Sequence, residues 1–248
     1  MSGDAALAKF AALDLTAIAL LLDFDGTLVD IAPTPDAVHV PDELCRSLAR
    51  LLARTGGALA LVSGRPISAL DRLFSPLKLP IVGGHGAETR VRDEVVDTVA
   101  PLPAPLRQEL ARAAAFDPGI LVEDKRYSVA LHYRNAPAQA ERLRRHIDAA
   151  LVSFANETID VLPGKALYEV KRPGATKGEA VRQLMTHAPF KGRKPVFVGD
   201  DVTDASVFAI LPALDGIGFS VDVEFDNSAG IFQSPAVVRR ALQTLAGA

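Results

Sequence analysis

Cysteine is almost missing from this chain: its 248 residues contain one, Cys45. A single thiol excludes an intramolecular disulfide framework and suits a reducing compartment. Cys45 sits in the helical pattern Leu44-Cys45-Arg46-Ser47-Leu48 and reads as a small core filler. An excess of one charge is also missing. With 27 Lys and Arg against 30 Asp and Glu, the formal net charge is −3, which argues against nucleic acid or an anionic membrane as main partner. There is no long hydrophobic run, because the stretch Leu15 to Leu22 is too short to span a bilayer and stops at Asp23. The amino terminus carries Asp4, only Lys9 as a basic residue, and no clear cleavage site. Low-complexity tracts and internal repeats are absent too. The expectation is a cytoplasmic protein, no membrane partner, and a monomer by default.

What is present is an alternation. Ala19 to Phe24 is an apolar run that reads as a strand buried on both faces. After a loop with Pro33 and Pro35, a helix opens at Pro41-Asp42-Glu43, shows Leu44, Leu48, Leu51 and Leu52 on one face, and stops at Gly56-Gly57. A strand at 58–62, a helix at 66–74 with Pro66 in its first position, and a strand near 80–82 follow. From about Pro101 the rhythm changes to helix (104–115), two short strands (120–123, 128–133), helix (138–154), two strands (158–161, 166–170). The β–α order then resumes with a helix from Thr176 to His187, the strand Pro195 to Val198, and a helix from about Thr203. This is the pattern of an α/β protein, a doubly wound Rossmann-like parallel-sheet core over 1–100 and 171–248, with a smaller α+β cap inserted at 101–170.

Chemistry collects at four places. Asp23-Phe24-Asp25-Gly26-Thr27 ends the first strand, where open α/β sheets place their sites, and two neighbouring carboxylates ask for a cation or a shared proton. Gly26 lets the chain turn and aim its N–H groups at an anion. Ser63-Gly64-Arg65-Pro66 stands at a helix amino terminus, a natural anion site. Thr176-Lys177-Gly178-Glu179 has the spacing of a capping box, with a lysine that opposes the helix dipole unless it faces an anion. Gly199-Asp200-Asp201-Val202-Thr203-Asp204 gathers three acids at a strand end, a hard-oxygen set suited to Mg²⁺. Taken singly each has an ordinary reading: solvated acids at a turn, a serine cap, an exposed lysine, an acidic helix start. Their joint order is far more specific.

In that order the chain resembles the haloacid dehalogenase superfamily. The resemblance covers roughly residues 17–100 and 171–248 and implies a phosphatase that works through Asp23 as nucleophile and Asp25 as general acid and base. It further implies Ser63 and Lys177 on the phosphoryl oxygens, with Gly26, Thr27, Gly64 and Arg65 around them. Mg²⁺ is implied at Asp23, the Asp25 backbone carbonyl and Asp200, with Asp201 and Asp204 supporting or, for Asp204, ligating.

The substrate should be chosen in the insert, which holds all three tyrosines (Tyr127, Tyr133, Tyr168) and dense mixed charge. Composition alone also fits ordinary exposed strand ends. A closer resemblance lies in Val122 to Lys125, Ser128 to Arg134, Gly164 to Pro173 and Gly83-Gly84-His85-Gly86-Ala87-Glu88, which look like trehalose-6-phosphate phosphatases. That resemblance implies sugar contacts from Glu123, Lys125, Lys165 and Glu169, with Arg134 beside them, and His85 and Gly86 lining the substrate cleft. Phosphatases of sucrose phosphate or mannosyl phosphoglycerate share the core pattern, and a noncatalytic sugar-phosphate sensor is the reading from another class.

Overall fold

The computed structural model describes residues 3–32, 34, 37–92, 94–164 and 166–247. Lys165, Pro33 and Pro35 lie outside the described residues. In chain order the first compact unit opens with α1 (Gly3–Ala11), β1 (Ile18–Leu22), α2 (Asp42–Arg54), β2 (Leu59–Val62), α3 (Ile67–Phe74) and β3 (Ile81–Gly83). A hairpin of β4 (Glu88–Val91) and β5 (Glu94–Asp97) follows. The second unit, Val99–Ala175, contains α4 (Ala104–Ala111), β6 (Leu121–Asp124), β7 (Ser128–His132), α5 (Ala140–Val152), β8 (Asp160–Gly164) and β9 (Leu167–Lys171). The first unit then resumes at Thr176 with α6 (Lys177–Leu184), β10 (Lys194–Gly199), α7 (Ala205–Ile210), β11 (Ile217–Val221), β12 (Ser228–Phe232) and α8 (Pro235–Ala246). The insert therefore runs past the expected 170 because β9 continues through Lys171.

The first unit is built on an eight-stranded sheet in the order β12-β11-β10-β1-β2-β3-β4-β5. From β12 to β3 every pairing is parallel, and the β4–β5 hairpin extends that edge in antiparallel fashion. The burial of β1 on both faces explains its composition. Leu20 and Leu22 enter a core with residues of α2, α3 and α8, while Ala19 and Leu21 enter a second core with residues of α6 and α7. Side chains alternate across a strand, so a strand covered on both sides must be apolar throughout. Asp23 and Phe24, expected within the strand, lie just beyond its end. The Asp23 N–H still donates to Val198 O at 2.9 Å, which seats the acid between the ends of β1 and β10.

Neither α1 nor the β4–β5 hairpin was revealed by the sequence pattern. In α1, Ala6 and Phe10 are buried, and the Phe10 ring meets Phe219 and Phe232 edge-on at 5.3 and 5.5 Å. In the hairpin, β5 is exposed along its length and β4 buries Glu88 and Arg90, so neither strand carries an apolar signature. Arg90 donates two bonds to Asp71, at 2.6 and 2.7 Å, and one to Leu79 O at 2.9 Å, while its buried Nε makes no hydrogen bond.

The second unit is a four-stranded antiparallel sheet, β6-β7-β9-β8, with α4 and α5 packed on one face. Val122, Val129, Leu131, Tyr168 and Val170 face the helices. The opposite face carries Glu123, Ala130, Glu169 and Leu162 in one transverse row, as the strand register requires.

Candidate active site

Asp23, Thr27, Ser63, Lys177 and Asp204 are all buried polar residues of the first unit, and all lie at or just beyond strand ends or helix starts. Lys177 Nζ donates to Asp23 Oδ1 and to Asp204 Oδ1, each at 2.7 Å. Burial works against the Lys177 ammonium, but the two carboxylates outweigh it and hold its pKa above the ordinary lysine value. The other oxygen of Asp204 accepts the backbone N–H groups of Asp200 and Asp201 at 2.9 and 3.0 Å. Asp204 therefore binds the lysine of α6 to the loop that follows β10.

Asp200 completes a cluster. Asp23, Asp200 and Asp204 each offer a carboxylate oxygen, and these atoms lie within 4.8 Å of one another. Thr27 Oγ1 donates to Asp200 Oδ1 at 2.7 Å. Burial pushes the pKa of Asp23 well above the usual carboxylate value, Lys177 pulls it back only in part, and Asp204 adds to the rise. Asp200 is raised as well, by burial against the lowering effect of Thr27. Lys177 pairs with two of the three carboxylates, so the cluster is short of positive charge. Its donors are hard oxygens, the chemistry that a divalent cation such as Mg²⁺ takes. Gly26, at φ +81°, is the necessary neighbour, since a β-carbon there would collide with the Asp200 carboxylate.

The side chains of Asp25 and Asp201 have partners of their own. Asp25 is gripped by Arg65, whose Nε and Nη2 donate to its two oxygens at 2.6 and 2.8 Å. Asp23 and Asp25 are thus each met by a separate cation. Asp201 is exposed and turns its side chain onto its own loop, accepting from Val202 N–H at 2.7 Å and capping the short 3₁₀ turn Val202–Asp204.

Local expectations at the starts of α3 and α6 need correction. Pro66 is the N-cap of α3 rather than its first helical residue, and Ser63 lies too far upstream to cap that helix; its Oγ accepts Arg65 N–H at 3.1 Å. The carboxylate of Glu88 accepts the first helical N–H, that of Ile67, instead. At α6 the Thr176 hydroxyl does accept Glu179 N–H at 3.1 Å, but the Glu179 side chain pairs with Arg182 at 3.1 Å rather than reaching back. His85 lies in a left-handed turn at φ 55°, its ring so close to Gly64 that no β-carbon would fit at that position.

In the second unit Glu123 lies 3.5 Å from Lys125 and 3.6 Å from His132 Nε2. His132, aided by Lys125, holds the Glu123 pKa below the usual carboxylate value despite its burial. Glu169 shares the transverse row of Glu123 across Ala130. Arg134 is exposed in the turn after β7. His132 was missed from the sequence, although its alternation with Ala130 along β7 puts it on the same face as Glu123.

Sheet order, strand-end acids and the buried lysine together define the haloacid dehalogenase fold class. Solved structures agree: a trehalose-6-phosphate phosphatase related protein superposes with TM-score 0.73 at 22% identity, covering 92% of this chain and 96% of that one. The C-terminal domain of a Candida albicans trehalose-6-phosphate phosphatase superposes with TM-score 0.74 at 21% identity, covering 98% and 96%. Sequence comparison narrows the class. The trehalose-phosphatase family model matches residues 21–235, and the chain belongs to that family of phosphoric monoester hydrolases. A protein of Sinorhizobium fredii described as a probable trehalose-phosphate phosphatase is 40% identical over 94% of this chain and 89% of its own length. The trehalose-6-phosphate phosphatase of Escherichia coli is 39% identical over 82% of this chain and 77% of its own.

Proposed function

We propose that the protein hydrolyses trehalose 6-phosphate to trehalose and inorganic phosphate, with an aspartyl-phosphate on Asp23 between the two half-reactions. The observation that carries this reading is the position of Lys177 between Asp23 and Asp204, beside Asp200 at the end of the sheet. Family membership and the printed functions of the relatives support the substrate.

An Asp23 oxygen attacks phosphorus as the bond to the sugar oxygen breaks. Asp25 gives that oxygen a proton, then takes one from the water that attacks the aspartyl-phosphate, so phosphate leaves and Asp23 is restored. Ser63 and Lys177 bind the phosphoryl oxygens and offset their charge, with the turn Gly26-Thr27 and the Gly64-Arg65 loop shaping the seat. Asp23, the Asp25 backbone carbonyl and Asp200 would hold Mg²⁺, while Asp204 fixes the loop and Asp201 caps it. Bound there, Mg²⁺ would supply the positive charge that three carboxylates and a phosphoryl group need in the same volume.

The insert acts as the cap that selects the sugar. Glu123, Lys125 and Glu169 on its sheet present acceptors and a donor suited to sugar hydroxyls, and Lys165 and Arg134 join them. His85 and Gly86 of the first unit are assigned to substrate contact. Among the described residues no helix is long and apolar enough to cross a membrane, and with one unpaired cysteine we assign the protein to the cytoplasm.

The test is phosphate release from a panel of sugar phosphates, with Mg²⁺ and with chelator, beside Asp23→Asn. Magnesium-dependent release from trehalose 6-phosphate, lost in the mutant, is the expected result. Release from sucrose phosphate or mannosyl phosphoglycerate instead would keep the chemistry and overturn the substrate. Binding with no release from any ester would make the protein a sensor.

A further inference from the structure

Glu88 is a buried carboxylate, 5% exposed, that takes no part in the reaction proposed above. Its Oε1 accepts the backbone N–H of Ile67 at 2.6 Å, in a bond that is itself buried. Ile67 opens α3, and the N-cap of that helix is Pro66, which forms no side-chain cap bond. A helix amino terminus leaves its first N–H groups without intrahelical partners, and negative charge is favoured there. Glu88 supplies both the acceptor and the charge from β4, the strand next to β3 in the sheet.

The turn that leads into Glu88 holds the neighbouring loop at further points. Gly84 N–H donates to Arg65 O at 2.9 Å, and His85 N–H donates to Ser63 O at 3.1 Å. Gly86, at φ +100°, approaches Thr176 O so closely that a β-carbon would collide with it. Thr176 caps the helix whose first residue is Lys177. The segment Gly83 to Glu88 thus touches the backbone of the Ser63–Arg65 loop and the cap of the Lys177 helix together.

We infer that Glu88 is a positioning residue for phosphoryl binding: by holding Ile67 N–H it fixes the loop from which Ser63 and Arg65 serve the phosphoryl group. This rests on the roles given to Ser63, Arg65 and Lys177 in the proposed reaction. Glu88 touches no reacting atom and acts only through geometry. Misplacing a phosphoryl-binding group by an ångström costs on the order of a hundredfold in rate.

The experiment compares Glu88→Ala, which removes the acceptor, with Glu88→Gln, which keeps an oxygen in the same place. On trehalose 6-phosphate, Glu88→Ala should lose about 10- to 100-fold in kcat while Glu88→Gln stays within about threefold of wild type. Inorganic phosphate should bind more weakly to Glu88→Ala in calorimetry and normally to Glu88→Gln. Wild-type kcat and phosphate affinity in Glu88→Ala would overturn the inference, as would a Glu88→Gln no better than the alanine variant. If Glu88→Ala does not fold, Glu88→Asp, whose shorter side chain withdraws the oxygen, takes its place in the same comparison. A wild type that binds phosphate but releases none from any ester sinks the proposed reaction alone, and phosphate affinity then decides the role of Glu88. A wild type that binds no phosphate overturns both.

Discussion

One ammonium, Lys177 Nζ, lies 2.7 Å from an oxygen of Asp23 and 2.7 Å from an oxygen of Asp204, and all three side chains are buried. The arrangement ties three separate chain segments together: the end of β1, the start of α6 and the loop after β10. Among the described residues Asp200 has no ammonium of its own in the carboxylate cluster, which is why the site asks for a further cation.

Lys177→Met should therefore cost stability as well as activity. Removing one partner of a buried ion pair leaves uncompensated buried charge, worth about 3–5 kcal/mol in known cases. The folded-state pKa of Lys177 is raised, so its contribution is complete below the unfolded lysine value of 10.5 and fades as pH rises through the folded value. Urea unfolding at several pH values should show a gap between wild type and mutant that persists from neutral pH to the ordinary lysine range. Equal midpoints at pH 7 would show that the pair does not support the fold.

Magnesium should compete with protons. Burial raises the pKa of both Asp23 and Asp200 in the metal-free protein. Such groups stabilise the native state below the unfolded value of 3.8, and that contribution is lost as pH rises through the folded values. Metal ligands must be deprotonated, so apparent Mg²⁺ affinity should fall as pH drops through the raised values, by up to about tenfold per unit for each proton displaced. Calorimetry in buffers of different ionisation enthalpy would register the released protons. An affinity independent of pH through the acid range would contradict this assignment of the cluster.

Asp200 and Asp201 are adjacent in sequence yet should behave differently. Asp200→Asn removes a member of the cluster and should weaken Mg²⁺ activation by about 10- to 100-fold or more. Asp201 points at Val202 N–H, and asparagine can keep that cap, so Asp201→Asn should leave the Mg²⁺ requirement unchanged. Magnesium titrations of activity for the two variants provide the comparison, and equal losses would bring Asp201 into the metal site.

This pair also marks how far the sequence could be read. The apolar runs of β1, β2 and β10 flagged buried strands, and the polar residues that break those runs fall at their ends. Those patterns placed Asp23, Ser63 and Asp200 on one edge of the sheet before any coordinates. Side-chain direction inside the acidic loop was not legible, because capping and coordination use the same residue type at neighbouring positions. The β4–β5 hairpin was hidden for another reason. Glu88 and Arg90 are buried in β4 through hydrogen bonds and an ion pair, so they carry the sequence signature of surface. Pairings such as Arg65 with Asp25, 40 residues apart, follow from the fold and have no local signal.

Asp25→Asn should separate the chemistry of the leaving group from that of the nucleophile. A general acid contributes about 10²–10⁴-fold when the departing oxygen is a poor leaving group, as a sugar alkoxide is. With p-nitrophenyl phosphate the first step needs no proton donor, so the loss in aspartyl-phosphate formation should shrink. Asp23→Asn should abolish turnover on both substrates. Pre-steady-state release of nitrophenol would follow the first step alone. A defect of equal size on both esters in that step would remove Asp25 from the acid role.

The insert should affect substrate choice without touching the chemistry. Glu123 and Glu169 occupy one row of the sheet face opposite α4 and α5, on either side of the small, buried Ala130 of β7, so both carboxylates stand clear of the helix-covered core. Lys125 and His132 keep Glu123 ionised, and an ionised carboxylate is the stronger acceptor for a sugar hydroxyl. Glu123→Gln and Glu169→Gln should each raise KM for trehalose 6-phosphate by about tenfold, the loss of one charged hydrogen bond, with a smaller effect on kcat. A phosphate ester without hydroxyls, p-nitrophenyl phosphate, makes none of these contacts, and its kcat/KM should be unchanged. If both substrates lose activity in parallel, the two glutamates support the reaction itself, and selection of the sugar must be sought on other residues of the insert.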